Sequence, residues 1–401
     1  MPRFAPFPGL RYARSHVRFL DDVVCPPYDV ISEPERLALE ARHPANIVRL
    51  ELPVDSGDPG DDRYARARLL LDGWRDGGIL HRDPAPAFYG YRMSFREPAG
   101  QHRNTLGVVG ALGLEAPGSG ILPHEETTPK AKTDRMELLR ATRANLSPIW
   151  GLSPGTGLSS RIPVPAHPVE RTTDEAGTIH EVWPIDEPAA VEAIRAAVES
   201  QPVLIADGHH RFETALAYRE ERRRDGSHTA DDDYVMALLV ELAPEQLTVQ
   251  AIHRLIDGLP SGYDLVAALE PWFDLTPTEP VDRSISARML DAGALAVLTP
   301  AGVWLARPRP VVSEAATHDL DSSRLDVALR SMPDHHLSFL HGWDNCAAAV
   351  ATGGAQVAVL LRPASVDQIA AISRGGVRMP PKTTFFWPKP RTGMVVRELL
   401  G

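Results

Sequence analysis

Apolar and polar positions along the chain follow two rhythms, and each predicts its own elements. Asn46-Ile-Val-Arg-Leu-Glu-Leu52 alternates as a half-buried strand does. Ala87–Phe95, the Gly- and Val-rich Thr105–Leu114, and Ile179–Ile185 read as further strands. Short apolar runs at Pro202–Ala206, Tyr234–Leu242 and Ala355–Leu361 read as buried strands. Val23–Ile31 looks like a strand broken by Pro26-Pro27, and Asn145–Leu152 like extended chain. Helical spacing holds over Tyr64–Arg75 through Ala67, Leu70, Leu71 and Trp74, and Gly77-Gly78 ends it. Helices are also expected over Lys132–Ala144, Ala189–Val198, His210–Arg223 and Val366–Arg374. Ser32-Glu-Pro-Glu35 has the form of a capping box, so a helix should follow to about His43. Ala294–Leu298 and Val303–Ala306 predict a hairpin around Pro300-Ala-Gly302. The Pro/Gly/Ser-rich stretch Ser153–Thr173 reads as a loop, and the prolines of Met379–Lys389 exclude a helix there.

Strands and helices mixed in this way predict an α/β chain of the α+β kind. With 401 residues, more than one domain is expected. The expected segments are an N-terminal α/β part (1–118), a central part (119–245) with an insertion at 153–200, and a C-terminal α/β part (246–401) ending in a basic-aromatic tail. Hydrophobic residues at 43% and charged residues at 24% are globular proportions, while 37 prolines and 30 glycines imply many turns. The net charge of -11 opposes general attraction to nucleic acid. The basic run Arg219-Glu-Glu-Arg-Arg-Arg224 reads as the solvated end of a helix. No window approaches the roughly 20 apolar residues of a membrane span, and the first residues lack the apolar core of a signal peptide. A cytoplasmic protein is expected. Cys25 and Cys346 match no metal spacing and read as reduced thiols. A homodimer is compatible with the sequence.

Candidate chemistry concentrates in three places. In the first, an apolar strand runs into Asp207-Gly208, and His209-His210-Arg211 opens a helix. A helix start leaves backbone N–H groups unpaired and carries the positive end of the dipole. Gly208 permits a sharp turn, and Arg211 can grip phosphate or carboxylate with paired bonds. Asp207 is placed to hold a divalent cation, and strand ends of this kind are where α/β folds put ligands. The second place is His124-Glu125-Glu126, where a carboxylate is suited to act as general base or, with Asp207, to hold Mg²⁺; a solvated helix start gives the same pattern. The third is the tail with Lys382, Lys389 and Arg391 among Phe385, Phe386 and Trp387, which suits either closure over an anion or simple packing. His209-His210-x-x-Glu213 is not a zinc-protease arrangement.

These stretches, with Cys25-Pro-Pro-Tyr-Asp-Val-Ile-Ser32, Asn46-Ile-Val-Arg-Leu50, Pro123-His-Glu-Glu-Thr127, Asp207–Ala215 and Met379-Pro-Pro-Lys382 through Thr392-Gly393, resemble the domain-of-unknown-function family ten-fifteen. The central part also resembles the ParB/sulfiredoxin-like nucleotide-binding domain of free-serine kinases. That superfamily's Pro-His-Glu, Pro-Ile and Asp-Gly-x-His-Arg order appears as Pro123-His124-Glu125, Pro148-Ile149 and Asp207-Gly208-His209-His210-Arg211. One departure is the insertion between Pro-Ile and Asp-Gly, far longer than in small ParB-type domains. The resemblance implies a kinase that phosphorylates the hydroxyl of free L-serine from ATP or ADP with Mg²⁺. Glu125 would be the base, assisted by Asp207 and His124. Gly208, His209, His210, Arg211, Lys382 and Lys389 would hold the nucleotide. Tyr28, Asp29, Glu126 and Arg391 would line the acceptor site, and Asp207 and Glu126 would hold the metal. A ParB-like nucleotide-binding regulator and a phosphate-binding hydrolase are the alternatives; the first calls for a basic helix-turn-helix region, which the sequence lacks.

Overall fold

The computed structural model describes every residue except 58–59, 98–99, 116–117, 124–129, 168–169, 375–378, 381 and 401. Among the described residues the chain is a mixed α/β protein with several sheets. It divides into two compact units, Met1–Leu247 together with Pro388–Gly401, and Thr248–Trp387. The C-terminal residues therefore return to the first unit after the second is complete.

The first unit is built on a nine-stranded sheet. Its strand order is Ile121–Pro123, Val203–Asp207, Ile149–Ser153, Tyr234–Glu241, His102–Gly113, Phe88–Arg96, Ile179–Ile185 and Glu170–Thr173, with Phe4–Ala5 paired beside His102–Gly113. Most neighbours are antiparallel, but Val203–Asp207 runs parallel to Ile121–Pro123, and Tyr234–Glu241 parallel to Ile149–Ser153. Phe88, Val108, Ile149, Trp183, Val203, Ile205 and Leu239 turn into one core, where Ile194 and Val198 of one helix and Phe212 and Ala215 of another meet them. These are the helices Pro188–Glu199 and His209–Arg224, close to the expected bounds. The helix expected over Lys132–Ala144 spans Lys130–Thr142.

The second unit carries a seven-stranded sheet. Alternate residues of its central strands enter different cores. Leu295, Val297, Val357 and Val359 belong to one, and Ala296, Leu298, Ala358 and Leu360 to the other. Both faces are covered, which is why these strands read as unbroken apolar runs. The hairpin forms as Leu295–Thr299 and Gly302–Pro308. Within the expected proline-rich tail, Thr384–Trp387 is a strand paired to Thr248–Ala251.

Two expected strands are absent. Asn46–Leu52 holds a single helical turn, Val48–Glu51. The Asn46 side chain accepts the Val48 N–H at 3.0 Å and donates to Asp22 O at 2.8 Å. That local bond turns the backbone at Asn46 and outcompetes an extended conformation. Val23–Ile31 likewise contributes one bridge, Cys25 to Thr392, followed by the 3-10 turn Tyr28–Val30. Pro26 and Pro27 have no N–H to continue a ladder. Ser153–Thr173 is not all loop, because Glu170–Thr173 is the sheet's edge strand. The capping box at Ser32 is present, with Glu35 accepting the Ser32 N–H at 2.8 Å. Cys25 and Cys346 are free and buried. Among the described residues no helix is long and apolar enough to cross a membrane.

Gly90 faces Trp183 across its strand pair, and a Cβ there would lie 2.3 Å from the indole Cε2. The ring cannot swing aside freely because its Nε1 donates to Pro163 O at 2.8 Å. Gly90→Ala should therefore destabilise the protein by about 1–3 kcal/mol, read as a lower midpoint in urea unfolding. An unchanged midpoint would show that the indole relaxes without loss.

Candidate functional site

Strand Val203–Asp207 delivers its last residue to the start of helix His209–Arg224. The turn between them is Gly208, at φ 88° and ψ 28°, in the left-handed region that suits glycine. A Cβ at Gly208 would also stand 3.0 Å from Ile149 Cγ2 and from Arg211 Nη2. His209, His210 and Arg211 occupy the first turn of the helix and are partly buried. The expected local arrangement of strand, turn and helix is thus present.

Asp207 lies between two cations. Its Oδ2 accepts from Arg211 Nη2 at 3.0 Å, one helical turn on. Its Oδ1 pairs with Lys389 Nζ from the C-terminal stretch. Burial by itself would raise the carboxyl's pKa, but Lys389 and Arg211 overcome it and hold Asp207 at about 2. Asp207 is an ionised carboxylate at neutral pH, flanked by positive charge and by the positive end of a helix.

Arg211 reaches a second layer in which the sequence did not single out Ser147, Glu51 or Arg135. Its Nη1 donates to Pro148 O at 2.6 Å and to Ser147 Oγ at 3.0 Å. Ser147 Oγ in turn donates to Glu51 Oε1 at 3.2 Å, and Arg135 Nη1 donates to the same oxygen at 3.4 Å. Arg135 is anchored by Asp134 Oδ2, at 3.0 Å from Nε and 2.6 Å from Nη2. The ring of Tyr28 takes the Arg135 guanidinium at 4.4 Å and that of Arg211 at 5.9 Å. Burial pushes the Tyr28 hydroxyl up, with Arg211 opposing. Glu51, Arg135, Ser147, Arg211 and Thr214 line a cavity of about 50 Å³. That is room for one or two waters and too little for a nucleotide. Asn46-Ile-Val-Arg-Leu50 stops one residue short of Glu51, and Pro148 directly follows Ser147, so the quoted motifs border these residues without naming them. Arg135 sits in a charged helix with nothing to set it apart.

The other expected site residues distribute as follows. Asp29 is exposed beside Tyr28. Arg391 is buried; its backbone N–H donates to Tyr91 Oη at 3.0 Å, and its Nη1 to Glu175 Oε2 at 3.2 Å. Lys382 belongs to the second unit, where it is exposed and its carbonyl accepts from Arg254 Nη1 at 2.9 Å. His124, Glu125 and Glu126 lie outside the described residues. Among the described residues no cluster of three or more His, Cys, Asp or Glu side chains gathers for a metal. Mg²⁺ asks for less, since it commonly takes one or two carboxylates with phosphate and water completing its shell. Asp207 fits that role.

Residues 4–328 match the family described as "Protein of unknown function (DUF1015)", and the chain belongs to that family. No curated protein matches it. Similar solved structures include a conserved hypothetical protein from Pyrococcus furiosus, at 13% identity and TM-score 0.35, covering 68% of this chain and 88% of that one. A free serine kinase in complex with AMP matches at 12% identity and TM-score 0.35, covering 67% and 83%. SbnI with C-terminal truncation from Staphylococcus aureus matches at 10% identity and TM-score 0.38, covering 71% and 85%.

The Asp207 pairing has a pH signature. Its folded pKa of about 2 lies below the ordinary 3.8, so its stabilisation is complete above the unfolded value and is lost as pH falls through the folded one. The difference amounts to on the order of 2 kcal/mol. Between about pH 5 and pH 2, the unfolding free energy of Asp207→Asn should fall less steeply than that of the wild type by that amount. Parallel pH profiles in urea titrations would refute the pairing.

Proposed function

We propose that this protein is a nucleotide-dependent small-molecule kinase that transfers a phosphoryl group from ATP or ADP to a hydroxyl, most simply that of free L-serine. The observation that carries the reading is the Asp207 carboxylate held between Lys389 and Arg211 at the start of a helix. Phosphoryl transfer requires mainly positioning and charge neutralisation, which the helix start, Arg211, Lys389 and a bound divalent cation would supply together. Backbone N–H groups after Gly208, with His209, His210 and Arg211, would hold the phosphates. Asp207 would hold Mg²⁺ together with Glu126, and the cation would neutralise phosphate charge when bound. The core of this reading is the ParB/sulfiredoxin-like motif order Pro-His-Glu, Pro-Ile and Asp-Gly-His-His-Arg.

Strand Ile121–Pro123 lies parallel to Val203–Asp207, with Pro123 opposite Ile205. Glu125 follows Pro123 two residues later in the sequence, and we assign it the role of base. In the proposed step the acceptor oxygen attacks the terminal phosphorus and its proton passes to Glu125. The bond to the bridging oxygen breaks, and ADP or AMP leaves. Tyr28 and Asp29 would border the acceptor, with Glu51 and Arg135 behind them.

The test is incubation of the protein with L-serine, Mg²⁺ and either ATP or ADP, with O-phosphoserine detected by mass spectrometry. No product from either donor would sink the serine reading, and nucleotide turnover without phosphoserine would favour a hydrolase. Arg211→Ala should weaken nucleotide binding by roughly 10- to 100-fold, as expected for loss of charge-assisted bonds. Glu125→Gln should abolish turnover and retain nucleotide binding; full activity in that variant would transfer the role of base to Glu126 or Asp207.

A further inference from the structure

Lys389 is flanked by Pro388 and Pro390, neither of which carries a backbone N–H. The first donors beyond it belong to Arg391 and Thr392. Thr392 N–H goes to Cys25 O at 2.8 Å. Arg391 N–H has a side chain as its partner, the phenol oxygen of Tyr91 at 3.0 Å. Tyr91 is 2% exposed, so its own proton also needs an acceptor. That acceptor is His180 Nδ1 at 3.1 Å, on the neighbouring strand. A neutral imidazole accepting at Nδ1 carries its proton on Nε2, and Nε2 stands 3.2 Å from Asp174 Oδ2. Asp174 is fixed in turn, because its Oδ1 accepts the backbone N–H groups of Ala176 and Thr178 at 3.0 and 2.8 Å.

Every proton in this chain has one direction: Arg391 N–H to Tyr91, Tyr91 O–H to His180, and His180 N–H to Asp174. The charges agree with it. Burial keeps His180 below its ordinary pKa, with Asp174 opposing. Burial would raise Asp174, yet its bonds from His180 and Thr178 hold it below the usual value.

We propose that Asp174, His180 and Tyr91 form a positioning relay that fixes the Pro388–Thr392 strap and thereby sets Lys389 against Asp207. Tyr91 and His180 touch no reacting group and act through Lys389. The relay itself rests on the geometry above, whereas its consequence for nucleotide binding rests on the function proposed in the preceding section.

Two measurements on the full chain separate these claims. In native-state hydrogen exchange, Tyr91→Phe removes only the hydroxyl, and the Arg391 amide should exchange about tenfold faster or more. Asp174→Asn breaks the far end and should shift the same amide in the same direction, so it carries the readout if Tyr91→Phe fails to fold. Unchanged exchange at Arg391 would overturn the relay. The second measurement is a double-mutant cycle on the Kd for ADP with Mg²⁺. Tyr91→Phe and Lys389→Met should each weaken binding, and the double variant should bind no worse than Lys389→Met alone. Additive losses would overturn action through Lys389. If the wild type does not bind ADP, the nucleotide reading falls and hydrogen exchange alone decides the relay.

Discussion

A carboxylate largely withdrawn from water is costly unless cations and hydrogen bonds surround it. Asp207 meets that demand with Arg211, one helical turn away, and with Lys389, 182 residues later. The second pairing makes the C-terminal stretch part of the first unit's chemistry. Once Lys389 is committed, the backbone around it must be satisfied there as well. Thr392 pairs with Cys25, Val396 with Leu10, and Arg397–Glu398 with Ala144–Asn145. The proline-flanked strap has few donors of its own, so side chains such as Tyr91 take the place of a strand ladder.

Among the described residues around this centre, acids and bases are paired. Asp207, Glu51 and Asp134 face Arg211, Arg135 and Lys389, and each cation has a carboxylate within reach. An anion arriving here meets cations that Asp207 already partners. Arg211 is also held from behind by Ser147 and Pro148, which fixes one side of its guanidinium.

The second unit follows a different constraint. Its central strands are apolar on both faces because each face is covered by its own core. Arg254 there is 2% exposed and donates from Nη1 to the carbonyls of Ile252 and Lys382, fixing the chain just before strand Thr384–Trp387.

Local signals determined much of this chain by themselves. The capping box at Ser32, the apolar strand ending at Asp207, the Gly208 turn, the helix behind it and the hairpin around Pro300-Ala-Gly302 depend on residues a few positions apart. Short-range hydrogen bonding and periodicity therefore suffice to read them. The misread elements were short: Asn46–Leu52 alternates, yet one side-chain bond from Asn46 turns it into a helical turn, and Pro26-Pro27 leaves Val23–Ile31 a single bridge. Tertiary structure alone decided that Lys389 pairs with Asp207, that Glu51, Ser147 and Arg135 stand behind Arg211, and that Tyr91, His180 and Asp174 hold the strap. Each of these residues is of a common type, and its role comes from a partner tens to hundreds of residues away. Burial, where polar groups must find partners, selects those pairs, and no local pattern along the chain records them.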